Sequence, residues 1–143
     1  MTGRIFLVLL CALFLYSCGE DTNTGAVPEP DTSPEISAET GYRKISAEEA
    51  RAIMESADNF ILLDVRTEED FRAQRIDGAI LIPDYEIADR AESELPDKDA
   101  LILIYCRSGR RSGNVARELI DMGYTNVYDF GGLLDWFYET VSD

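Results

Sequence analysis

The predicted fold is organised around one segment of the chain, Leu101-Ile-Leu-Ile-Tyr-Cys-Arg-Ser-Gly-Arg-Arg-Ser112. Its first five residues are apolar, which is typical of a buried strand, and from Asn114 to Met122 the apolar side chains recur at helical spacing. Residues 106–112 therefore predict a tight loop between a strand and a helix. In that order the N–H groups of the loop and of the first helical turn converge on one point, where they can bind an anion.

Cys106 opens this loop, and three arginines follow it closely: Arg107, Arg110 and Arg111. The helix dipole and the arginine charges favour a thiolate, so we expect the pKa of Cys106 to lie below that of a free cysteine. Two simpler explanations stay open, because a cysteine at a strand end is often an inert buried side chain and a basic run can be a solvated turn. The chain has 13 Lys and Arg against 28 Asp and Glu, which makes a local arginine cluster unexpected.

Composition narrows the classes of function. The chain has 143 residues, a formal net charge of −15 and 45% hydrophobic residues, which suffices for one domain with its own core. Such an acidic chain is not expected to bind nucleic acid through bulk charge. It contains no histidine, so a Cys–His dyad, an imidazole base and histidine metal sites are excluded. We expect neither a metal nor a cofactor, and a reaction at Cys106 must start from a ready-made thiolate.

Residues 1–17 predict an export signal. A short positive region precedes an apolar run, residues 5–16, that is too short for a comfortable membrane span. The sequence Leu15-Tyr-Ser-Cys-Gly19 resembles a bacterial lipoprotein box, which implies that Cys18 is lipidated and becomes the new N-terminus. Tyr16 is larger than the residue usual at its place, and an ordinary signal peptide or an uncleaved anchor is the alternative.

Residues 18–41 predict a disordered acidic tether, and residues 42–143 predict the folded domain. The tether is rich in Asp, Glu, Thr, Pro and Ser and has too few apolar residues to fold, so its coil would span about 25 Å. With Cys18 lipidated, the domain would be anchored to a membrane in the cell envelope, outside the cytoplasm. Cys106 would then be the only free thiol of the mature chain, because Cys11 leaves with the signal.

From residue 42 onward, strands alternate with helices. Ser46-Ala-Glu-Glu49 is a capping box that opens a helix, and Phe60 to Val65 is an apolar strand of the kind buried in a parallel sheet. The other predicted elements are a first strand at 42–45, a short helix capped by Thr67, a strand at 79–82, a helix at 84–95, the strand and helix around Cys106, and a strand at 126–130. This order predicts an open α/β parallel sheet whose functional site lies at the carboxyl end of a strand.

Four stretches of the sequence resemble a single-domain rhodanese: Leu62-Leu-Asp-Val-Arg66, Gln74-Arg-Ile-Asp-Gly-Ala-Ile80, Cys-Arg-Ser-Gly-Arg-Arg-Ser at 106–112, and Gly131-Gly-Leu-Leu-Asp-Trp136. The resemblance covers Tyr42 to about Val141 and departs at Arg75, where the family often has His. It implies a rhodanese domain over residues 42–143, with a five-stranded parallel sheet flanked by helices on both faces. It also implies a catalytic Cys106, in a six-residue loop, that carries sulfane sulfur as a persulfide.

The chemistry that the resemblance implies is sulfur transfer. The Cys106 thiolate would take the outer sulfur of a small anionic donor such as thiosulfate and pass it from the persulfide to cyanide or a thiol. The N–H groups of the loop would stabilise the negative sulfur as an oxyanion hole does. We expect Arg111 to be the arginine that faces the donor. The candidate substrate-binding loop comprises Arg107, Ser108, Gly109, Arg110, Arg111 and Ser112.

Several of these motif residues also have structural explanations. Ser112 is equally a candidate helix N-cap, and Gly109 suits an ordinary turn. Arg66 and Asp70 are spaced for an ion pair at the start of a helix. Trp136 is expected to lie in the core.

Two other functions stay open. A cysteine phosphatase or arsenate reductase needs an arginine six positions after its cysteine, but that position is Ser112, and Arg111 falls one residue short. A non-catalytic module that stores persulfide or recruits a partner to the envelope is the second alternative. We expect a monomer, with a thiol-redox protein as a partner that reduces or unloads Cys106.

Overall fold

The computed structural model describes residues 42–143. The predicted signal peptide at 1–17, the predicted lipidation site Cys18 and the predicted tether at 18–41 lie outside the described residues. Within 42–143, no helix is both long and apolar enough to cross a membrane.

A five-stranded sheet organises the described part of the chain. Its strands are β1 (Arg43–Lys44), β2 (Ile61–Asp64), β3 (Ile80–Leu81), β4 (Ile102–Cys106) and β5 (Val127–Gly132). The helices are α1 (Ala47–Ser56), α2 (Glu68–Ala73), α3 (Ile87–Glu94) and α4 (Arg110–Asp121), with short 3-10 turns at Asp84–Glu86 and Leu133–Asp135. The strand order is β1-β5-β4-β2-β3 and every pair is parallel, which confirms the expected five-stranded parallel sheet.

The central strand β4 is buried at every position and sends its side chains alternately into two cores. One core collects Ile102 and Ile104 with apolar side chains of α3 and α4, and the other collects Leu103 and Tyr105 with Ala50 of α1. Helices therefore cover both faces of the sheet. The continuous apolar run in the sequence belongs to a strand that has no solvent-facing side.

The ends of the helices follow local signals in the sequence. The Glu49 N–H donates to Ser46 Oγ at 3.1 Å and the Ser46 N–H donates to Glu49 Oε2 at 2.7 Å, which is the predicted capping box. Thr67 caps α2 as predicted, because its hydroxyl accepts from the Asp70 N–H at 3.2 Å. Helix α4 ends at Asp121, and Gly123, two residues later, lies in the left-handed region at φ +94°.

The structure corrects the predicted start of α4. The helix begins at Arg110 rather than near Asn114, so only residues 107–109 separate it from β4. Gly109 allows this short connection because it occupies the N-cap in the left-handed region, at φ +88°, and reverses the chain without a side-chain cap. Ser112 lies inside the first turn of α4, so the alternative that Ser112 is the N-cap is wrong.

Candidate active site

Cys106 is the last residue of β4 and lies at the carboxyl edge of the sheet, where the sequence predicted the site. It is 1% exposed, and its register partner in β5 is Gly132. The Gly109 N–H donates to Cys106 Sγ at 3.1 Å. Among residues 42–143, Cys106 is the free cysteine. A strand end and a short turn thus bring a thiol to the N-terminus of α4.

Opposing effects set the pKa of the Cys106 thiol. Burial raises the pKa because a thiolate loses solvation, whereas hydrogen bonds from the Ser112 N–H and hydroxyl and from the Ser108 and Gly109 N–H groups lower it. The hydrogen bonds outweigh burial, so the pKa of Cys106 lies below its ordinary value. The direction agrees with the sequence prediction, but the groups that lower the pKa against the effect of burial are hydrogen-bond donors rather than the charged arginines.

Ser112 connects the site to β5. Its side chain is buried, and its hydroxyl donates to the Gly131 carbonyl at 3.1 Å or to the Gly109 carbonyl at 3.3 Å. The hydroxyl has one hydrogen, so it donates either to one of these carbonyls or to the Cys106 sulfur. A charged thiolate is a stronger acceptor than a carbonyl. Ser108 differs, because it is exposed and contributes its backbone N–H.

Glycines let β5 pass directly against the loop. A methyl group on Gly132 would overlap the carbonyl of Arg107, and one on Gly109 would come within 3.2 Å of Gly131 Cα. Strand β5 continues through Gly131 and Gly132, two residues beyond the strand predicted at 126–130. The Leu134 N–H then donates to the Arg107 carbonyl at 3.1 Å. Close backbone packing therefore explains Gly132, whereas Gly131 is favoured by its left-handed backbone at φ +89°.

The three loop arginines are not equivalent. Arg107 and Arg110 are exposed, whereas the Arg111 side chain is 24% exposed and its Nη2 lies 3.5 Å from Asp70 Oδ2. Burial raises the pKa of Asp70, but hydrogen bonds from Thr67 and Arg111 outweigh that effect and keep the pKa below its ordinary value. Helix α2 therefore holds Arg111 in place, while the choice of Arg111 as the donor-binding arginine stays a prediction.

The motif Asp64-Val-Arg66 forms a buried ion pair beside the site. Arg66 Nη2 lies 2.6 Å from Asp64 Oδ2, and Arg66 Nε donates to Asp64 Oδ1 at 2.9 Å. Arg66 Nη2 also donates to the Gln74 carbonyl at 2.5 Å. The predicted ion pair of Arg66 with Asp70 is wrong, because Asp64 takes the guanidinium and Asp70 faces Arg111 instead.

Asp129 was not among the candidate site residues predicted from the sequence. It lies on β5, is buried, and accepts the Gly131 N–H at 3.0 Å. Burial raises the pKa of its carboxyl, although hydrogen bonds from Ser112 and Gly131 oppose that shift. Asp129 is therefore another possible acceptor for the Ser112 hydroxyl, beside the two carbonyls and the Cys106 sulfur. The available signal was an acidic residue inside the predicted strand 126–130.

Two clefts flank the loop. The ends of β5 and β1 lie on one side of the end of β4, and the end of β2 lies on the other side. One cleft has a volume of about 400 Å³ and is lined by Lys44, Ser108 and Phe137 among others. The other has a volume of about 270 Å³ and is lined by Arg107 and Leu134, together with Asp70 and Ala73 of α2. No group of three His, Cys, Asp or Glu side chains within 42–143 is arranged to hold a metal ion.

Comparisons with known proteins agree with this geometry. The rhodanese-like domain model matches residues 46–139. Thiosulfate sulfurtransferase PspE of Escherichia coli K12 is 41% identical over 73 residues, which cover 51% of this chain and 70% of that protein. Thiosulfate sulfurtransferase GlpE of Pseudomonas entomophila is 31% identical over 99 residues, or 69% of this chain and 87% of that protein. A solved structure described as a rhodanese with anions from E. coli is 37% identical, with a TM-score of 0.54 over 59% of this chain and 100% of that one. The chain therefore belongs to the rhodanese-like family, and it carries a single rhodanese-like domain similar to thiosulfate sulfurtransferases.

Proposed function

We propose that this protein takes sulfane sulfur from an anionic donor such as thiosulfate and passes it, through a persulfide on Cys106, to cyanide or to a thiol. Family membership and relatives named thiosulfate sulfurtransferase support a sulfurtransferase function. The observation that carries the proposal is a buried Cys106 sulfur that receives the Gly109 N–H at 3.1 Å, in a chain with no histidine to act as a base.

The first half-reaction loads the cysteine. The Cys106 thiolate attacks the outer sulfur of thiosulfate, a new S–S bond forms, the S–S bond of thiosulfate breaks, and sulfite leaves with the bonding electron pair. The negative charge passes to the outer sulfur of the persulfide, so no proton needs to move. The N–H groups that lower the pKa of Cys106 are suited to stabilise that charge, as in an oxyanion hole.

The second half-reaction removes the sulfur from Cys106. Cyanide or a thiolate attacks the outer sulfur, the S–S bond to Cys106 breaks, and its electron pair returns to Cys106 as a thiolate. The products are thiocyanate or the persulfide of the acceptor. A lowered pKa makes Cys106 a better leaving group, so the same hydrogen bonds assist both half-reactions.

The phosphatase or arsenate reductase alternative has less support. The sixth position after Cys106 is Ser112, whose buried hydroxyl bonds to carbonyls of the loop and of β5. Arg111, one residue earlier, is directed toward Asp70. Neither side chain supplies the guanidinium that such an enzyme needs around a tetrahedral oxyanion.

Intact-mass measurement on the full chain tests the proposal. After treatment with thiosulfate we expect a gain of one sulfur atom, loss of that sulfur on adding cyanide, and release of thiocyanate, all absent in Cys106→Ala. A chain that loads sulfur but releases it to no acceptor is the non-catalytic carrier. A chain that accepts sulfur from no donor contradicts the proposal, and aryl phosphate hydrolysis that is lost in Cys106→Ser would favour a phosphatase.

We further propose that Cys18 is lipidated and that the protein acts in the cell envelope, outside the cytoplasm and attached to a membrane through its N-terminal lipid. The support is the apolar run at 5–16 and the lipoprotein-like box at 15–19. An alkyne-bearing fatty acid fed to cells should label the wild-type chain and not Cys18→Ala. Equal labelling of both chains would contradict the anchor.

A thiol-redox protein of the same compartment is the proposed partner that unloads Cys106. Free thiols are scarce outside the cytoplasm, which favours a dedicated protein acceptor where a thiol unloads Cys106. Trapping a mixed disulfide between Cys106 and such a protein in intact cells tests this partner. Complete absence of the mixed disulfide, under conditions where Cys106 is reduced, would count against it.

A further inference from the structure

We infer that the surface around Cys106 docks a protein acceptor that presents its cysteine on a segment of acidic and apolar side chains. We call this surface the acceptor rim, and it comprises Lys44, Arg107, Arg110, Leu134 and Phe137. The inference rests on the proposed sulfur transfer and specifies the acceptor for it.

The apolar part of the rim projects into solvent beside the loop. Phe137 is 87% exposed and Leu134 is 63% exposed. Together with Tyr85, which follows β3 at the same edge of the sheet, they are the most exposed large apolar side chains among residues 42–143. Phe137 lines the cleft that contains Ser108, and Leu134 lines the cleft that contains Arg107. Apolar groups concentrated at one edge are typical of a surface that another molecule covers.

The segment that carries Phe137 is held on both sides. Before it, the ring of Trp136 is buried in the core, as the sequence predicted. After it, Arg75 and Val141 exchange backbone hydrogen bonds of 2.8 Å, and the Arg75 guanidinium lies 2.8 Å from the Asp143 carboxylate. The exposure of Phe137 is therefore set by an anchored backbone and not by a loose chain end.

The charged part of the rim lacks partners. Within 42–143, three lysine and arginine side chains form neither an ion pair nor a hydrogen bond in the structure: Lys44, Arg107 and Arg110. Each of the other lysines and arginines in this range forms an ion pair or a hydrogen bond. All three lie at the carboxyl edge of the sheet, at the end of β1 or around the loop. The cleft lined by Lys44 also contains Glu48 and Asp135, so the unpaired positive charge is concentrated around the loop at Arg107 and Arg110. In a chain of net charge −15, these unpaired cations can attract a negative partner.

A small donor explains only part of this surface. Thiosulfate has no apolar group to cover Phe137 or Leu134, and it is far smaller than the two clefts of about 400 and about 270 Å³. A polypeptide segment that crosses the loop from one cleft to the other contacts the whole rim. Its acidic side chains would pair with Lys44 and Arg110, and its cysteine would lie over Cys106.

Sulfur transfer to such a segment needs no further reactant. The acceptor thiolate attacks the outer sulfur of the Cys106 persulfide and forms a new S–S bond. The bond between that sulfur and Cys106 breaks, and its electron pair returns to Cys106 as a thiolate. The acceptor leaves as a persulfide.

Three peptides that differ only around their cysteine test the inference on the sulfur-loaded full chain. The first has acidic and apolar neighbours, the second has lysines in place of the acidic residues, and the third has serines in place of the apolar ones. Intact-mass measurements follow the loss of the persulfide from the protein. The transfer rate for each peptide is divided by the rate at which the same peptide reacts with a small aromatic disulfide, which corrects for differences in thiolate content between the peptides. We expect the first peptide to react at least about tenfold faster than the others, with an advantage that falls as salt is added.

Variants of the acceptor rim test whether its side chains cause the preference for the first peptide. We expect Phe137→Ser and Lys44→Gln to slow transfer to the first peptide several-fold and to leave transfer to dithiothreitol unchanged. Phe60→Ser is the matched control, because Phe60 is a partly exposed phenylalanine that precedes β2 at the opposite edge of the sheet.

The outcomes separate this inference from the proposed function. Equal corrected rates for the three peptides, or equal losses in Phe137→Ser and Phe60→Ser, overturn the rim while sulfur transfer to dithiothreitol stands. A chain that loads no sulfur overturns the proposed function instead. Weaker binding of Phe137→Ser than wild type to phosphatidylglycerol vesicles, without any peptide preference, would assign the rim to a lipid surface and overturn the inference.

Discussion

The backbone N–H of Gly109 donates to the Cys106 sulfur at 3.1 Å, where the chain leaves β4 and turns into α4. Gly109 lies in the left-handed region, at φ +88°, so the turn is short and the first N–H groups of α4 face the sulfur. Ser112, one turn further along, adds a hydroxyl to these donors. One tight turn of backbone therefore holds both the proposed nucleophile and the N–H groups that could bind an anion beside it.

Ser112→Ala is expected to make the Cys106 thiolate harder to form. The variant loses the hydroxyl donor and keeps the N–H donors, so the pKa of Cys106 rises and alkylation by iodoacetamide near neutral pH slows about three- to tenfold. In both proteins the rate increases with pH as the thiol ionises, and the curve of the variant lies at higher pH. Ser93→Ala, an exposed serine on α3, is the control. Coincident curves for Ser112→Ala and wild type would show that the hydroxyl does not act on the thiolate.

Gly132→Ala is expected to disable the loop. The added methyl group overlaps the Arg107 carbonyl, so the loop must move away from its position around Cys106. We expect the rate of sulfur loading from thiosulfate to fall on the order of a hundredfold, because small displacements of reacting groups are costly. Gly131→Ala is the matched variant: its φ of +89° costs on the order of 1 kcal/mol, but its methyl group meets nothing within 4 Å. Equal losses of loading in both variants would argue against the overlap as the cause.

Arg66→Met is expected to lower the free energy of unfolding by about 3–5 kcal/mol, because it leaves the Asp64 carboxylate buried without its partner. Arg72→Met breaks the exposed pair with Glu68 and should cost less than about 1 kcal/mol. Urea denaturation measures both values. If the two variants lose similar amounts, burial does not raise the cost of breaking the Asp64–Arg66 pair.

Arg111→Ala is expected to raise the KM for thiosulfate several-fold with a smaller change in kcat, because it removes a positive charge used in binding. Asp70→Asn should lower that KM, since it removes the carboxylate that lies 3.5 Å from the guanidinium and competes with the donor. Arg117→Ala, an exposed arginine further along α4, is the control. An unchanged KM in Arg111→Ala would move donor recognition to Arg107 or Arg110.

Most of the elements, their order and the candidate nucleophile Cys106 could be predicted from local signals in the sequence. The apolar run at 101–105, the capping box from Ser46 to Glu49 and the stop at Gly123 depend on interactions within a few residues of the chain, so they can be read locally. The absence of histidine also limited the chemistry to a thiolate without an imidazole base. Even so, the start of α4 was placed too late, because the conformation of Gly109 depends on how the loop packs against β5.

The groups that meet around Cys106 depend on contacts between residues that are distant in the sequence. Arg66 has four carboxylates within four residues of the chain, and in the structure it pairs with Asp64 rather than with Asp70. Ser112 bonds to the Gly131 carbonyl, 19 residues away. Sequence spacing cannot rank partners of similar chemistry, because the choice depends on distance and burial after the sheet has formed. The same holds for the positive and apolar edge around Cys106, which the parallel strand order assembles from the ends of separate strands.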